Sequence, residues 1–480
     1  MSLCGLCGGT GADPAFAGGG HRAQGGQFPV EGDADGGGVC GSAHLGGWPR
    51  DGNLFLGISA KDRHARLMKS RRPAAGRGEI FAWCWYDFSN SAFVTVVITV
   101  VGGVFFTKSI CGGAAWAELA WGIVLSVSAG LAMVVGPLLG RWADRRASKK
   151  PALVVLTLVC VAGTLVLGWS GLGVLSAVGA LAMANSAFLL GENLVAAFLP
   201  ELAEAGKRGR VSAYGWAFGY VGGLGSLALA LYLLRSGGSE AARQVFPATA
   251  AFMLVAALPT LLFLRERAVP GEGDSAEPGW KAIRRTIQGH PELIRLLTGL
   301  SASLSGLSAV VGFASIYATR EIGFTLEGTV KLFVCLQVAA AVGALITGPW
   351  QDKAGSRWVL LSSLAVWILV SVGAFLSRSA GSFYLVAALA GVAMGWMQSA
   401  GRAAVADLTP AGREGELFGL WGFAGKMAGI VGPLLFGGLV TLFGMRASII
   451  LNGGWFLLGA VLLARVKWRD AGASMEPAGQ

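Results

Sequence analysis

From Phe81 onward, apolar residues form long blocks that are separated by short polar connections. A helix needs about 20 mostly apolar residues to cross a hydrocarbon core of roughly 30 Å. Blocks of about that length lie at residues 81–107, 116–140, 152–169, 172–198, 212–234, 246–264, 297–318, 329–349, 358–377, 382–405, 415–442 and 446–465. The pattern predicts an all-α membrane protein with twelve transmembrane helices. Glycines recur four apart at 215, 219 and 223 and at 425 and 429, which predicts close helix packing there.

The composition supports this prediction, because 54% of the residues are hydrophobic and only 14% are charged. Soluble domains usually carry about 25% charged residues. The basic residues follow the second block (Arg141 to Lys150), the fourth block (Lys207, Arg208 and Arg210) and the sixth block (265–295). By the positive-inside rule, both termini and the 265–295 connection are expected in the cytoplasm. The net charge of +11 therefore indicates membrane orientation and no nucleic-acid partner.

Residues 1–67 differ from the rest of the chain. They are rich in glycine, lack periodicity and contain three of the four histidines, which is a composition typical of disorder. We hypothesise that Met68 is the natural start and that 1–67 is an over-extended gene model. The pair Cys4 and Cys7 lacks a second cysteine pair at zinc-site spacing, so neither a metal site nor a disulfide framework is expected.

The chain contains an internal repeat. Gly140-x-Trp142-x-Asp144-Arg145 returns as Gly348-x-Trp350-x-Asp352-Lys353, shifted by 208 residues, and residues 205–209 return as 411–415, shifted by 206. Both copies follow corresponding even-numbered helices, which indicates two six-helix halves in parallel orientation. We expect an N-terminal half at 68–264, a cytoplasmic linker at 265–295, a C-terminal half at 296–467 and a cytoplasmic tail at 468–480.

The first copy of the repeat resembles the signature of the major facilitator superfamily, Gly-x-x-x-Asp-Arg-x-x-x-[Arg/Lys], with Gly140, Asp144, Arg145 and Lys149 in its positions. The segment 85–93 is similar to the Tyr-Asp-x-[Ala/Ser]-Asn-Ser motif of the vacuolar effluxer (autophagy-related) branch. Segments 198–220 and 408–426 are similar to that branch as well. The resemblance covers about residues 80–466.

This resemblance implies two pseudo-symmetric six-helix halves and secondary transport of a small molecule by alternating access. Fungal members of the branch are described as exporters of amino acids, so amino-acid efflux is the substrate hypothesis. The short loops and high glycine content are typical of a bacterial protein, so the inner membrane is the expected location. Protons are the candidate coupling ion, the lipid bilayer is the other partner, and a monomer is expected.

The repeated aspartates are gating candidates. A glycine lets two helices approach, and an aspartate near a helix end can accept hydrogen bonds or pair with arginine. We hypothesise that Gly140, Asp144 and Arg145, together with Gly348, Asp352 and Lys353, form cytoplasmic gating contacts. The alternative is a tight turn with basic membrane anchors.

Polar groups inside the apolar blocks are costly and are therefore candidates for transport or coupling. The resemblance implies that the first, fourth, seventh and tenth helices line a central cavity. Asp87 and Glu192 are the proton-coupling candidates, since a low-dielectric cavity disfavours the charged form of a carboxylate. Each could instead have a structural role, and a lysine could simply extend to the interface. The full candidate set is Asp87, Asn90, Glu192, Asn193, Gln398, Arg402 and Lys426.

Several function classes are disfavoured by the sequence. It contains no Gly-x-x-x-x-Gly-Lys-[Ser/Thr] phosphate loop, which argues against ATP hydrolysis. His290 is the only histidine beyond the tail, so a histidine relay or a membrane metalloenzyme is not expected. We expect no catalytic residue, no metal and no cofactor. A passive channel and a non-transporting receptor or scaffold remain alternatives.

Overall fold

The computed structural model describes residues 75–235, 238–267 and 279–468. The chain divides into two units, Met1–Ser70 and Arg71–Gln480, and the described residues all belong to the second. The expectations for the tail, the Met68 start and Cys4 and Cys7 lie outside the described residues. Within those ranges all regular secondary structure is helical.

Eleven helical elements carry the apolar blocks. They are α1 (Arg77–Val100 continued by Gly102–Ile110), α2 (Ala117–Arg146), α3 (Lys149–Leu167), α4 (Val174–Ala196 continued by Leu199–Leu202), α5 (Arg208–Leu234), α6 (Gly238–Phe263), α7 (Pro291–Tyr317 continued by Ala318–Ile322), α8 (Leu326–Ala354), α9 (Ser356–Leu376), α10 (Ala380–Leu408) and α11 (Glu414–Ala464). A further helix, Gly279–Gly289, precedes α7, and we call it the linker helix.

Among the described residues, ten helices are long and apolar enough to cross a membrane, or eleven when the two parts of α1, bent by 45°, count as one span. The 51-residue α11 counts once, although Gly444 interrupts it with a φ of 79°. Positive φ is open to glycine because it has no Cβ. The break falls inside the connection 443–445 between the last two predicted spans. The predicted total of twelve requires that the two arms of α11 be counted separately, and it stays a prediction.

Several helices extend beyond their predicted ends. α5 begins at Arg208 rather than 212, and α8 continues to Ala354 rather than 349. These extra turns are charged or polar, so a hydropathy window does not detect them. The linker helix was missed for the same reason. Four of its eleven residues, Lys281, Arg284, Arg285 and Gln288, have charged or amide side chains.

The helices α2, α4, α8 and α10 end on the same side of the bundle on which α3, α5, α9 and α11 begin. We call this side the basic end; its connections are 147–148, 203–207, 355 and 409–413. The N-terminal half is α1–α6 and the C-terminal half is α7–α11. Apolar side chains such as Leu175, Leu385 and Leu442 are more than 70% exposed, as expected for surfaces that face lipid.

Glycines allow the two halves to approach each other closely. An added Cβ at Gly140 of α2 would overlap the carbonyl of Gly415 of α11, and one at Gly348 of α8 would come within 2.8 Å of Arg210 Cα of α5. The predicted close approach at Gly215 and Gly219 is found against α1. The prediction for Gly425 and Gly429 is wrong: added Cβ atoms there meet nothing within 4 Å, because the packed face of α11 carries Gly415, Gly419 and Gly422 instead.

Candidate functional site

A buried ion pair joins the two halves a few residues inside the basic end. Arg402 of α10 donates from Nη1 to the Asp87 carboxylate of α1 over 2.7 Å. The same guanidinium donates to the carbonyl of Ser212 on α5 over 2.7 Å and to its hydroxyl over 3.1 Å. Arg402 is only 3% exposed. A guanidinium in so dry a place is stabilised only when its donors are used, and here a carboxylate and a neighbouring backbone use them.

Two indole rings enclose the same guanidinium. Its central carbon lies 4.7 Å from the ring centre of Trp83 and 5.4 Å from that of Trp216. Contacts of this length are favourable cation–π interactions. Gly215 is required beside them, since an added Cβ would lie 2.9 Å from the Trp83 ring and would overlap the Asp87 carboxylate. The Asp87–Arg402 pair is therefore enclosed by aromatic rings and backbone.

A second, looser ion pair spans α4 and α11. Lys426 Nζ lies 3.5 Å from Glu192 Oε2 and 3.3 Å from the amide oxygen of Asn193. The Glu192 side chain is 36% exposed and that of Lys426 is 10% exposed. Gly422 packs directly against the Asn193 amide. This pair is longer and wetter than the Asp87–Arg402 pair, so it costs less to separate.

Two predicted polar candidates are not part of these pairs. The side chains of Asn90 on α1 and Gln398 on α10 are half-buried, and among the described residues neither makes a side-chain hydrogen bond. The structure thus brings together five of the seven predicted residues, as Asp87 with Arg402 and as Glu192 and Asn193 with Lys426.

Asp144 caps a helix of the opposite half at the basic end. Its two carboxylate oxygens accept hydrogen bonds from the backbone N–H groups of Gly415 and Glu416, each over 2.9 Å. These groups belong to the first turn of α11, where backbone N–H groups lack helical partners and the helix dipole favours a negative charge. Gly140, one turn earlier on α2, provides the space for this approach.

Asp352 makes the corresponding contact in the reverse direction. Its Oδ1 accepts from the backbone N–H of Gly209 over 2.9 Å and of Arg210 over 3.4 Å, in the first turn of α5. The Arg210 side chain donates to Oδ2 over 2.8 Å. Each half therefore caps one helix of the other. We call the Asp144 and Asp352 contacts the two cross-half caps.

A cluster of three carboxylates surrounds one buried lysine beside Asp144. Lys149 Nζ lies 2.7 Å from Glu201, 3.0 Å from Glu414 and 3.4 Å from Asp144. The Lys149 side chain is completely buried. Because Glu414 begins α11 whereas the other groups belong to α2–α4, the lysine also joins the two halves. Its charge is essential to a cluster that otherwise contains only anions.

The repeat places different charges at the other cap. At the offset of 206 residues, Asp407 corresponds to Glu201 and Arg208 corresponds to Glu414. Arg208 donates to Asp407 over 3.2 Å and to the carbonyl of Ala406 over 2.9 Å. Beside the Asp144 cap, the basic residue is Lys149, which belongs to the same half as Asp144. Beside the Asp352 cap, it is Arg208, which belongs to the half opposite Asp352.

The connection after α6 is anchored at the same end. Arg267 pairs with both carboxylate oxygens of Glu79 at 2.6 Å, and its backbone N–H donates to Glu201 over 2.6 Å. The hydrogen bonds that Arg267 donates to Glu79 raise the pKa of its guanidinium above the ordinary value. Among the described residues, no group of three or more histidine, cysteine, aspartate or glutamate side chains could hold a metal ion.

The sequence model of the Major Facilitator Superfamily matches residues 114–336 and 296–480, which together exceed half of the chain. The chain belongs to the Major Facilitator Superfamily. The MFS-type transporter YxiO of Bacillus subtilis is 25% identical over 407 residues, which are 80% of this chain and 94% of that protein. Autophagy-related protein 22 of Cryptococcus neoformans is 25% identical over 265 residues, 49% of this chain and 48% of that protein.

The major facilitator fold is confirmed by the solved structure of the human organic anion transporter MFSD10. It superimposes with a TM-score of 0.67 at 16% identity and covers 81% of this chain and 99% of its own. The predicted major facilitator fold, apart from its count of twelve helices, and the resemblance to the superfamily and its autophagy-related branch are therefore confirmed. A chain of this family is an integral membrane transporter whose partner is a small molecule.

Sequence reasoning did not assign a role to the Lys149 cluster. Lys149 entered only as the last position of the superfamily signature, and Glu201 and Glu414 only as parts of similar segments. Asp144, Glu201 and Glu414 lie on three different helices, and their spacing in the sequence does not show that they meet in the fold. Conversely, Lys353 of the repeated motif is exposed, whereas its counterpart Arg145 is half-buried.

Proposed function

We propose that the protein is a secondary active transporter that moves a small solute by alternating access, with the basic end in the cytoplasm of a bacterial cell. The observation that carries this proposal is the reciprocal pair of cross-half caps at Asp144 and Asp352. Both lie at the same end of the bundle, and both join helices of opposite halves. Contacts arranged in this way close one end and leave the other free to open.

Opening of the basic end then requires that α11 leaves Asp144 and that α5 leaves Asp352. Each aspartate contributes a charged acceptor to backbone N–H groups that have no other partner at a helix start, which is worth about 1 kcal/mol per cap. The Lys149 cluster adds ionic contacts to the first cap. A total of a few kcal/mol is small enough for a gate, because ligand binding can shift the equilibrium between two states that differ by that free energy.

Asp87 and Glu192 are the proposed proton-coupling residues. A carboxylate that binds a proton no longer holds its cationic partner, so protonation of Asp87 would release Arg402 from α1. Ser212 and the Trp216 ring would keep the guanidinium near α5. Glu192 and Lys426 form the more accessible pair of the two. Proton binding thereby removes one of the contacts that Arg402 makes between the halves, which links protonation to the strength of their association.

Amino acids are the proposed substrates and export from the cytoplasm is the proposed direction, with the protein acting as a monomer in the inner membrane. The likeness to autophagy-related protein 22 over about half of the chain supports this choice. The remaining candidates, Asn90 and Gln398, are half-buried polar groups with unused hydrogen-bonding capacity. We propose that they contact the substrate.

The test is uptake of a mixture of radiolabelled L-amino acids into proteoliposomes under an imposed pH gradient. We expect accumulation above equilibrium that a protonophore abolishes and that Asp87→Asn lowers at least tenfold. Glu240→Gln is the matched control, since it neutralises an exposed carboxylate whose one ion-pair partner among the described residues is Arg243, one turn away. Flux that merely equilibrates would identify a passive channel, and absence of flux for every amino acid would reject the proposed substrate class.

A further inference from the structure

The linker helix exposes apolar and basic side chains side by side. Trp280 is 53% exposed and Ile287, seven residues later, is 37% exposed. Seven residues make about two helical turns, so these two side chains share one edge of the helix. Ala282, Ile283 and Thr286 are buried and form the face of the helix that borders this edge on one side. Trp280 and Ile287 therefore form an apolar ridge that the described part of the chain leaves partly uncovered.

Three basic side chains extend along the same exposed surface. Lys281, Arg284 and Arg285 are all exposed. At 100° per residue, Arg284 lies next to Trp280, and Lys281 and Arg285 follow further from the ridge. The helix surface thus changes from apolar to cationic within about 140° of arc. This arrangement is typical of helices that lie in a membrane interface.

Two contacts fix the position of the linker helix on the bundle. An added Cβ at Gly279 would lie 2.8 Å from Leu138 of α2. Leu138 precedes the end of α2 at Arg146 by two turns, which is roughly 12 Å along the helix. At its other end, Thr286 accepts a hydrogen bond of 2.7 Å from Arg413, directly before α11. The helix therefore lies against the bundle at its basic end, between the last apolar turns of α2 and the connection that precedes α11.

We propose that the linker helix is a binding site for anionic phospholipid headgroups. Trp280 and Ile287 enter the boundary between headgroups and acyl chains, and Arg284, Lys281 and Arg285 contact the phosphates. The charge of the surface selects anionic over zwitterionic lipids, since each basic residue near an anionic membrane surface contributes attraction. The apolar ridge requires a lipid rather than a free phosphate. This inference needs only that the chain spans a membrane and is independent of what the protein transports.

The test uses the full-length protein in detergent micelles and counts bound lipid by native mass spectrometry during a titration. The probes are phosphatidylglycerol, phosphatidylcholine and sn-glycerol 3-phosphate. We expect phosphatidylglycerol to bind at least tenfold more tightly than phosphatidylcholine, and glycerol phosphate not to compete. The variant Lys281→Gln/Arg284→Gln/Arg285→Gln should weaken phosphatidylglycerol binding about tenfold. The matched control Arg77→Gln/Lys207→Gln/Arg357→Gln removes three exposed charges elsewhere at the basic end and should bind as the parent does.

A second variant keeps every charge but removes the ridge. Trp280→Ser/Ile287→Ser should also weaken phosphatidylglycerol binding, whereas a purely electrostatic surface would be unaffected. Each variant is compared by its elution as a single species and by its thermal unfolding without added lipid, which separates lost binding from lost folding. Unchanged phosphatidylglycerol affinity in a folded linker variant, equal loss in the control, or competition by glycerol phosphate would each overturn the proposal.

Discussion

Arg402 and Asp87 form a 2.7 Å ion pair that joins α10 of one half to α1 of the other, although the two residues lie 315 positions apart in sequence. The guanidinium is 3% exposed and lies between the rings of Trp83 and Trp216. A pair in this setting contributes little net stability as a whole, because its desolvation offsets much of its attraction. Removal of one partner is strongly destabilising, since the other charge then remains buried without a counter-charge.

The first prediction concerns this asymmetry. Asp87→Asn should lower the free energy of unfolding by about 3 kcal/mol, because Arg402 keeps its charge without a carboxylate. The double variant Asp87→Asn/Arg402→Gln should recover at least half of that loss. Denaturant titration in micelles measures both. A double variant whose loss equals the sum of the two single losses would contradict the pairing, since independent sites are additive.

The second prediction concerns the cluster around Lys149. Lys149→Met leaves Asp144, Glu201 and Glu414 facing one another without a cation, and we expect a loss of at least about 3 kcal/mol in the free energy of unfolding. Lys150→Met is the control, because within the described part of the chain its Nζ reaches the carbonyl of Leu262 at 3.4 Å and no carboxylate. A change within about 0.5 kcal/mol is expected there. Equal effects of the two substitutions would show that the cluster does not need its lysine.

The third prediction concerns the close approach of α2 and α11. Gly140→Ala places a methyl group against the Gly415 carbonyl, and the separation that follows should cost about 1–3 kcal/mol. Gly130→Ala on the same helix meets nothing within 4 Å and should be neutral or slightly stabilising, because alanine favours helix. Thermal unfolding of the two variants gives the comparison. Equal melting temperatures would mean that the two helices are not in contact at Gly140.

Much of this arrangement follows from the sequence, and the reason is the repeat. Two copies of one motif at nearly one offset predict two similar halves, and they also select Asp144 and Asp352. Their partners could not be predicted. The aspartates accept hydrogen bonds from backbone N–H groups, and such a contact requires no particular side chain in the helix that is capped. The sequence marks Gly209 and Gly415 through the second echo and through the segments that resemble the autophagy-related branch, and neither feature indicates a cap.

The least predictable features depend on polar residues at helix ends. Hydropathy detects the apolar part of a helix. It does not detect the polar end turns of α5 and α8 or the polar linker helix. Those turns carry Arg208, Arg210 and Asp352, which make the contacts between the halves. Glycine spacing was a poor guide to contact on α11, where Gly425 and Gly429 face open space and Gly422 packs on Asn193. Which face of a helix meets its neighbour is decided by the whole bundle.

The central claim, that the two cross-half caps hold the basic end closed while the halves alternate, has a direct test. Spin labels at Lys207 and Arg357 report the separation of the halves at the basic end, and labels at Ala115 and Arg378 report it at the opposite end; all four positions are exposed. Distances are measured by double electron–electron resonance in a cysteine-free background, for the parent chain and for Asp144→Asn/Asp352→Asn.

The parent should show mainly short distances at the basic end. Loss of two caps, at about 1 kcal/mol each, should shift the equilibrium toward the open basic end roughly 30-fold. The account predicts that the basic-end distance lengthens while the opposite-end distance shortens, with matching populations. Distances that stay unchanged at both ends, or that change at one end only, would contradict it.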